Sequence, residues 1–459
     1  MPEAIEADYL VIGAGAAGMA FVDALIDHAD VSVIMLDRRH SVGGHWLDAY
    51  PFVRLHMASQ LYGVASTRLG DGRVQHDGPE AGLHKRATAP EVCAYYAKVL
   101  RERLLASGKV SFYPGCEYLG DGAFVSLVSG KRYEVLGPRR VVDARYLSPD
   151  IPATTSAPFA VADGTRVVPV NELVKMGGAP SQYVIVGAGK TATDACIWLR
   201  GNGVDPDALC WVRPREPWML NRAAVQPDPA VFLGMTADIV ESAVGAESED
   251  DLFLRLEAAG VMLRVDRAVT PTMAKVPTLA QWELNDLRTI ENVVRLGHVK
   301  SVEPGRLVLS EGQATIARDA VVVHCAAPGL KYQPLLPIWG TDAITLQLVR
   351  AGSPTFGAAM VGYIEATRDN DDEKNRLCPP VPYANTPTDW GRMQVLGYRS
   401  SRSYGAEPDI AEWSNSIALN PARIPPEAKD DPAVTAVVDR LQQSAEPGMA
   451  RLAELSETQ

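Results

Sequence analysis

Two glycine-rich turns carry most of the chemistry that the residue types and spacings allow. Gly13-x-Gly15-x-x-Gly18 follows the apolar run Tyr9–Ile12, and Gly187-x-Gly189-x-x-Ala192 follows Tyr183–Val186. Between a strand and a helix, such a turn binds the pyrophosphate of a dinucleotide. The first glycine permits the tight turn, the second lets the phosphate reach the backbone, and the third lets the helix pack on the strand. The phosphate then lies at the positive end of the helix dipole. The two turns differ in what ends the next strand. After the first it is Asp37, whose carboxylate can accept both ribose hydroxyls of an adenine nucleotide. After the second it is Arg213, with Arg215 and Arg222 beyond it. A guanidinium pairs with phosphate in a bidentate fork, whereas a bare diol prefers a carboxylate. The spacing therefore predicts a plain adenine dinucleotide at the first turn and a 2′-phosphorylated one at the second. FAD and NADPH fit that pair, and with them hydride transfer from nicotinamide to flavin. Turns that serve packing alone, and arginines that only face solvent, are the plain alternatives.

The elements that must position these residues repeat. Helical patterns at Met19–Ile26 and Thr193–Leu199 follow the turns, and second apolar strands follow at Val31–Leu36 and Ala208–Val212. Residues 110–142 read as a strand meander ending in a return strand, Arg140-Val-Val-Asp-Ala144, and residues 299–327 repeat the pattern. The expected fold is α/β, with two Rossmann-type dinucleotide-binding domains, the NADPH domain inserted in the FAD domain, each with a β-meander. The expected boundaries are 1–155 for the first part of the FAD domain, 156–328 for the NADPH domain with a helical insert at about 232–295, and 329–459 for the return to the FAD domain plus a helical tail. The insert is expected either to cover the second domain or to form a substrate-access cap, and its acidic start at Glu247–Asp251 to be exposed. Residues 367–376, TRDNDDEKNR, are expected to form a solvated loop, and the helical pattern of 433–456 to be interrupted near Pro447.

Composition narrows the function classes. The 459 residues suffice for two or three domains with a large core. Forty-four basic against 56 acidic residues give a net charge of −12, which argues against nucleic-acid or anionic-membrane binding. No apolar run approaches a membrane span. The acidic N-terminus enters a strand at once, unlike a secretory leader, so a cytoplasmic protein is expected. The six cysteines lie at least fourteen positions apart, which disfavours dithiol exchange or a cysteine-paired zinc site. His28, His40, His76, His84, His298 and His324 show no metal-ligand spacing, and no metal is expected.

Further motifs carry a resemblance. Gly43-Gly44-His45-Trp46 looks like a Gly-Gly-x-Trp motif, and Tyr50-Pro-Phe-Val-Arg-Leu55-His56-Met-Ala-Ser59 like a tyrosine-led segment that runs beneath a flavin. Arg213-Pro-Arg-Glu-Pro-Trp218-Met-Leu-Asn-Arg222 looks like an Arg-x-x-x-x-Trp-x-x-x-Arg stretch beside the NADPH phosphate. Together these residues resemble the two-dinucleotide-binding flavoproteins of the flavin-containing and Baeyer–Villiger-type monooxygenase superfamily, over roughly residues 8–62 and 182–222. The chain departs from both subgroups. Phe159–Pro169 lacks the histidine and tryptophan of the Baeyer–Villiger fingerprint and the Phe-His-Ser of the other branch. His56 stands where those families place Asp or Asn, and Asp143-Ala144-Arg145 replaces Ala-Thr-Gly.

What the resemblance implies is an FAD- and NADPH-dependent monooxygenase that uses an oxygenated flavin on a small organic substrate with dioxygen, kept from water. A reductase or oxidase without substrate oxygenation, and a non-catalytic redox sensor, are the alternatives. The expected cofactor contacts at the first site are Gly13, Gly15, Ala16, Ala17, Gly18, Asp37, Arg38, Gly44, His45, Trp46, Leu55 and His56. At the second they are Gly187, Gly189, Lys190, Thr191, Arg213 and Arg215. Trp46 and His56 are the candidate catalytic residues: Trp46 as an apolar wall, His56 as a hydrogen-bonding or titrating group at the flavin edge. Core packing and a satisfied structural histidine are their alternatives. Association as a homodimer is left open.

Overall fold

The computed structural model describes residues 2–327, 329 and 331–458. Its first parallel sheet runs in the order Ile344–Thr345, Arg140–Asp143, Tyr9–Ile12, Val33–Asp37, Val110–Pro114. Tyr9–Ile12 and Val33–Asp37 are buried along their whole length, which explains their continuous apolar sequence, since a parallel sheet is covered on both faces. One cover is the helix Ala16–His28 with Pro354–Thr367 packed on it. Gly362 makes that contact: a Cβ there would lie 2.4 Å from the Phe21 carbonyl oxygen. The chain beyond residue 329 thus returns to the first unit, through both this helix and the edge strand Ile344–Thr345.

The second parallel sheet has the order Arg166–Pro169, Val321–His324, Tyr183–Val186, Leu209–Val212, Val293–Val294. The helix Lys190–Gly201 follows its glycine turn. Each unit also has an antiparallel meander: Cys116–Gly120, Ala123–Ser126 and Arg132–Leu136 in the first, Val299–Glu303, Arg306–Leu309 and Gly312–Thr315 in the second. Both are extended by a short parallel strand from elsewhere, Glu3–Glu6 and Ala160–Val161 respectively. The fold is α/β, with two Rossmann-type units.

Four local expectations are corrected. Val110–Pro114 belongs to the parallel sheet beside Val33–Asp37 and not to the meander. The segment 232–295 is not simply helical: Met262–Arg264 and Met273–Leu279 form a small sheet with Pro217–Asn221. Its helix Pro229–Val244 packs on the C-terminal helix and not as a cover on the second sheet. That C-terminal helix, Pro432–Leu455, runs unbroken through Pro447. Gly448 follows the proline and lets the two backbones meet, since a Cβ there would lie 2.4 Å from the Val240 carbonyl oxygen. Finally, residues 371–377 form a helix and not a solvated loop. Lys374 points inward, and its ammonium donates to Glu365 at 2.6 Å; Glu365 also accepts from Tyr9 at 2.6 Å and Trp339 at 2.7 Å. A charge run reads as solvated only when no buried partner waits for it, and Glu365 is that partner.

All six cysteines are free. Among the described residues no helix is long and apolar enough to cross a membrane, and no group of three or more His, Cys, Asp or Glu side chains converges as a metal site.

Candidate functional site

Both glycine turns sit at the carboxyl ends of parallel strands, where ligands of open α/β sheets bind. In the first, Gly13 has φ +105°, and its N–H donates to the Leu36 carbonyl at 2.8 Å. A Cβ on Gly18 would lie 2.0 Å from the Gly13 carbonyl oxygen, so only glycine fits. The second glycine pair closes over this turn. Gly43 and Gly44 both have positive φ, and the Gly43 N–H donates to Ala14 O at 3.0 Å. A Cβ on Gly44 would come within 3.0 Å of the Gly15 Cα. The two loops therefore form one cradle of bare backbone, which side chains would fill. Gly15 caps the helix without a side-chain hydrogen bond, and the N–H groups of Ala16 and Ala17 have no acceptor within the helix. Helices starting after Thr88, Asp228, Ser248 and Thr386 have side-chain caps, while those after Ser353 and Glu407 also lack them, so it is the bare backbone of the cradle that distinguishes this start. The uncapped start fits an anion.

Asp37 is buried beside the cradle. One carboxylate oxygen accepts from the Ala14 N–H and the other from the Arg39 N–H, each at 2.8 Å. Each oxygen retains a lone pair for a ribose hydroxyl. Arg38 turns away to Glu117 on the meander at 2.5 Å. His45 packs on Trp46, with ring centroids 5.3 Å apart. Burial first, then the Arg39 charge, lowers the His45 pKa to about 4. Trp46 is buried, and its indole N–H donates to the Tyr62 hydroxyl at 2.8 Å. Leu55 is buried, with its carbonyl accepting from Arg86 at 2.9 Å.

The second turn has a different build. Gly187 has φ +133° and lies against the Cys325 backbone, while nothing lies within 4 Å of a Cβ on Gly189. Gly189 is again a cap without a side-chain bond, and Thr191 is half-buried in the first helical turn. Arg213 stands at the strand end but is only 3% exposed. Its guanidinium lies 4.6 Å from the Trp211 ring centroid and 3.2 Å from Glu216. Glu216 is shared with Arg295 at 2.6 Å. Among the described residues the Arg213 Nε is buried without a hydrogen-bond partner, and Nη1, the atom nearest Glu216, makes the ion pair without a well-aligned hydrogen bond. Burial lowers the Arg213 pKa. Arg215 is tied to the Thr272 carbonyl at 2.9 Å and the Asn385 carbonyl at 3.0 Å.

Lys190 and Arg222 do not join Arg213. They belong to a buried charge cluster between the two units, which local spacing gives no way to see. The Lys190 ammonium sits 2.6 Å from Asp194 and 3.3 Å from Glu283. Arg222 donates to Glu80 at 2.5 Å and to Glu283 at 2.6 Å, and Arg86 donates to Glu80 at 2.6 Å. The Tyr50 hydroxyl donates to Asp194 at 2.7 Å. Three cations thus face three carboxylates, with residues 50–86 on one side and 190–283 on the other. Burial alone would raise the Glu80 and Glu283 pKa values. The cations outweigh it: Arg86 then Arg222 at Glu80, Lys190 then Arg222 at Glu283, and both stay ionised.

His56 lies against this cluster. Its carbonyl accepts from the Arg222 Nε at 3.2 Å and from the Thr278 hydroxyl. Its Nδ1 is buried without a hydrogen-bond partner among the described residues. Burial first, then the charges of Lys190, Arg222 and Arg86, lowers its pKa to about 3. With its pKa held that low, the imidazole is neutral near pH 7.

No protein-family model matches the chain. The protein Rv2000 of Mycobacterium tuberculosis and Mb2023 of Mycobacterium bovis, each named only as uncharacterized, are 43% identical to it over 419 residues. The match covers 91% of this chain and 78% of each relative. Among solved structures, a steroid monooxygenase bound to NADP aligns over 97% of this chain and 99% of its own at 14% identity, with a TM-score of 0.47. A cyclohexanone monooxygenase from Rhodococcus sp. Phi1 bound to NADP+ aligns over 97% and 99% at 16% identity and TM-score 0.44. A flavin monooxygenase from Stenotrophomonas maltophilia, a double mutant, aligns over 80% and 98% at 15% identity and TM-score 0.45.

Proposed function

We propose that this chain, which belongs to the same family as Rv2000 and Mb2023, is an FAD- and NADPH-dependent oxidoreductase, and more specifically a flavoprotein monooxygenase acting with dioxygen on a small organic substrate. The observation that carries the proposal is the pairing of two uncapped glycine turns with opposite charge partners. One has a buried carboxylate with lone pairs to spare, and the other has a buried guanidinium that is paired with Glu216 yet keeps an Nε–H without an acceptor. An orphaned guanidinium N–H is costly, because its lost hydration is not replaced. A 2′-phosphate at the strand end would supply the missing acceptor.

The first cradle holds FAD in this reading. Gly13, Gly15 and Gly44 let the pyrophosphate reach the backbone, Ala16 and Ala17 donate N–H groups, and Asp37 accepts the ribose hydroxyls. The second turn holds NADPH, with Gly187 and Gly189 at the pyrophosphate and Arg213 at the 2′-phosphate. Arg215 orders the loop next to Arg213 through the Asn385 carbonyl. Bound together, the two cofactors supply hydride transfer and reaction with dioxygen. The protein's part is to hold the two units in register through the Glu80–Arg222–Glu283–Lys190 cluster. His56 presents a neutral ring at the same interface, able to hydrogen-bond without exchanging its charge at neutral pH. The test is a purified chain assayed for bound flavin and for NADPH oxidation with and without candidate substrates. Product formed in step with NADPH consumed supports the monooxygenase. Flavin reduction with hydrogen peroxide as the sole oxygen product reduces the proposal to an oxidase.

A further inference from the structure

We propose that the second unit carries a separate pocket for a neutral, carbonyl-bearing organic molecule, with the His324 imidazole as its hydrogen-bond donor. A cavity of about 490 Å³ lies between residues 152–157 and the carboxyl ends of the strands Arg166–Pro169 and Val321–His324. That volume falls in the usual range of small-molecule sites, and the edge of a parallel sheet is a common place for one. His324 lines the cavity and is 2% exposed. Its Nδ1 accepts the Ala326 N–H at 3.3 Å. In a neutral imidazole this places the proton on Nε2. That Nε2 is buried and has no partner among the described residues, which leaves the ring proton of a lining residue without an acceptor.

The rest of the lining sets the ligand's chemistry. No Lys, Arg, Asp or Glu is among the lining residues. An anion entering would lose its hydration without gaining a countercharge, which disfavours phosphates and carboxylates. The Thr154 and Thr155 hydroxyls donate to the Ile151 carbonyl, and the Thr165 hydroxyl to that of Ala162. Their protons are committed, which leaves their oxygens as acceptors. Val161 and Val168 supply apolar wall. The His324 ring N–H, the Ser156 hydroxyl, the threonine oxygens and the apolar sides match a carbonyl compound, and best of all a primary amide, whose oxygen accepts from His324 and whose NH₂ donates to a threonine. The pocket lies beside the meander: the His324 ring is edge-on to Phe159 at 5.9 Å, and Phe159 packs with Val302 and Leu307 of that sheet. None of its lining residues belongs to either glycine turn, although His324 pairs with Val186 at the start of the second one.

The experiment uses the full chain labelled with ¹⁵N-histidine and follows the His324 ring nitrogens during titration with benzamide, toluene and benzoate. Benzamide is expected to shift the Nε2 signal saturably, with toluene and benzoate bound roughly two- to tenfold or more weakly, the range of one net hydrogen bond. His324→Phe should weaken benzamide binding by a similar factor. Val161→Trp, on an exposed edge strand, should block the pocket without affecting the melting temperature, and so covers the case in which His324→Phe does not fold. Saturating NADP+ should leave benzamide bound. An unmoved His324 signal, equal binding of toluene or benzoate, unchanged binding in Val161→Trp, or displacement by NADP+ would each overturn the proposal.

Discussion

The two glycine turns share a strand–turn–helix plan but differ in how tightly they are closed. Around the first, glycine is met by glycine: Gly18 sits on the Gly13 carbonyl, and Gly44 sits on Gly15. Around the second, the third position is Ala192, buried without clash, and the space over Gly189 is open. The helix after the first turn is covered by the returning chain through Gly362 and Phe21, whereas the helix after the second is pinned through the Lys190–Glu283 contact. A closed cradle of backbone suits a cofactor that stays, and an open turn with one charged clamp suits a cofactor that exchanges. That is the division of labour expected if FAD is resident and NADPH is spent each cycle.

The largest expected effect comes from cutting the charge cluster that pins the second unit to the first. Arg222→Ala leaves Glu80 and Glu283 buried without their shared cation. Removing one partner of a buried ion pair costs about 3–5 kcal/mol, so chemical denaturation should show a loss of that size. A loss under about 1 kcal/mol, the worth of an exposed pair, would mean that the cluster is hydrated and does not hold the units together.

Next is a contrast between the third positions of the two turns. Gly18→Ala drives a methyl into the Gly13 carbonyl and should cost about 3 kcal/mol, in the upper range for overpacking, with loss of bound flavin. Ala192→Gly should cost only about 1 kcal/mol, the helix propensity difference, with flavin retained. Equal effects at the two positions would erase the distinction between a closed and an open turn.

Arg213→Ala tests the clamp itself. A charge-assisted hydrogen bond contributes about 1.5–3 kcal/mol, so the Michaelis constant for NADPH should rise about ten- to a hundredfold and that for NADH should stay nearly unchanged. Parallel loss with both cofactors would assign Arg213 to structure, through its stacking on Trp211.

At neutral pH the smallest effect is expected at His56. Its pKa is lowered to about 3 in the fold, by burial first, against about 6.5 in an unfolded chain. Between those values the unfolded chain binds the extra proton. Stability from this group is therefore complete above about pH 6.5 and is lost as the pH falls toward 3. His56→Gln should flatten the stability profile between about pH 4 and 6.5 and leave it unchanged between 7 and 8. A variant that alters the profile only above pH 7 would show that the imidazole titrates near neutrality.

Sequence patterning carried the strands and helices next to both turns because their determinants are local. Continuous apolar runs mark strands covered on both faces, and the glycines mark positive φ at Gly13 and Gly187. Asp37 and Arg213 were legible for the same reason, since each ends the strand after its turn. The charge cluster was not legible. Glu80, Arg86, Asp194, Arg222 and Glu283 lie on separate stretches, and each alone resembles an ordinary surface charge. Their sequence neighbours place Lys190 and Arg222 close to an expected phosphate, whereas in space Lys190 pairs with Asp194 and Glu283 and Arg222 with Glu80 and Glu283. The helix Asp371–Leu377 was missed in the same way, because Glu365 and Tyr9 turn a hydrophilic run into a buried anchor.

The claim of a resident flavin on the first turn and an exchanging NADPH on the second is put to the test by anaerobic titration of the desalted protein with NADPH and with NADH, following the flavin absorbance. The claim predicts that the desalted protein remains yellow with one flavin per chain. It also predicts that half-maximal reduction rate requires roughly ten- to a hundredfold less NADPH than NADH. A colourless protein that takes up no FAD, or a flavin reduced equally well by both nucleotides, would contradict it.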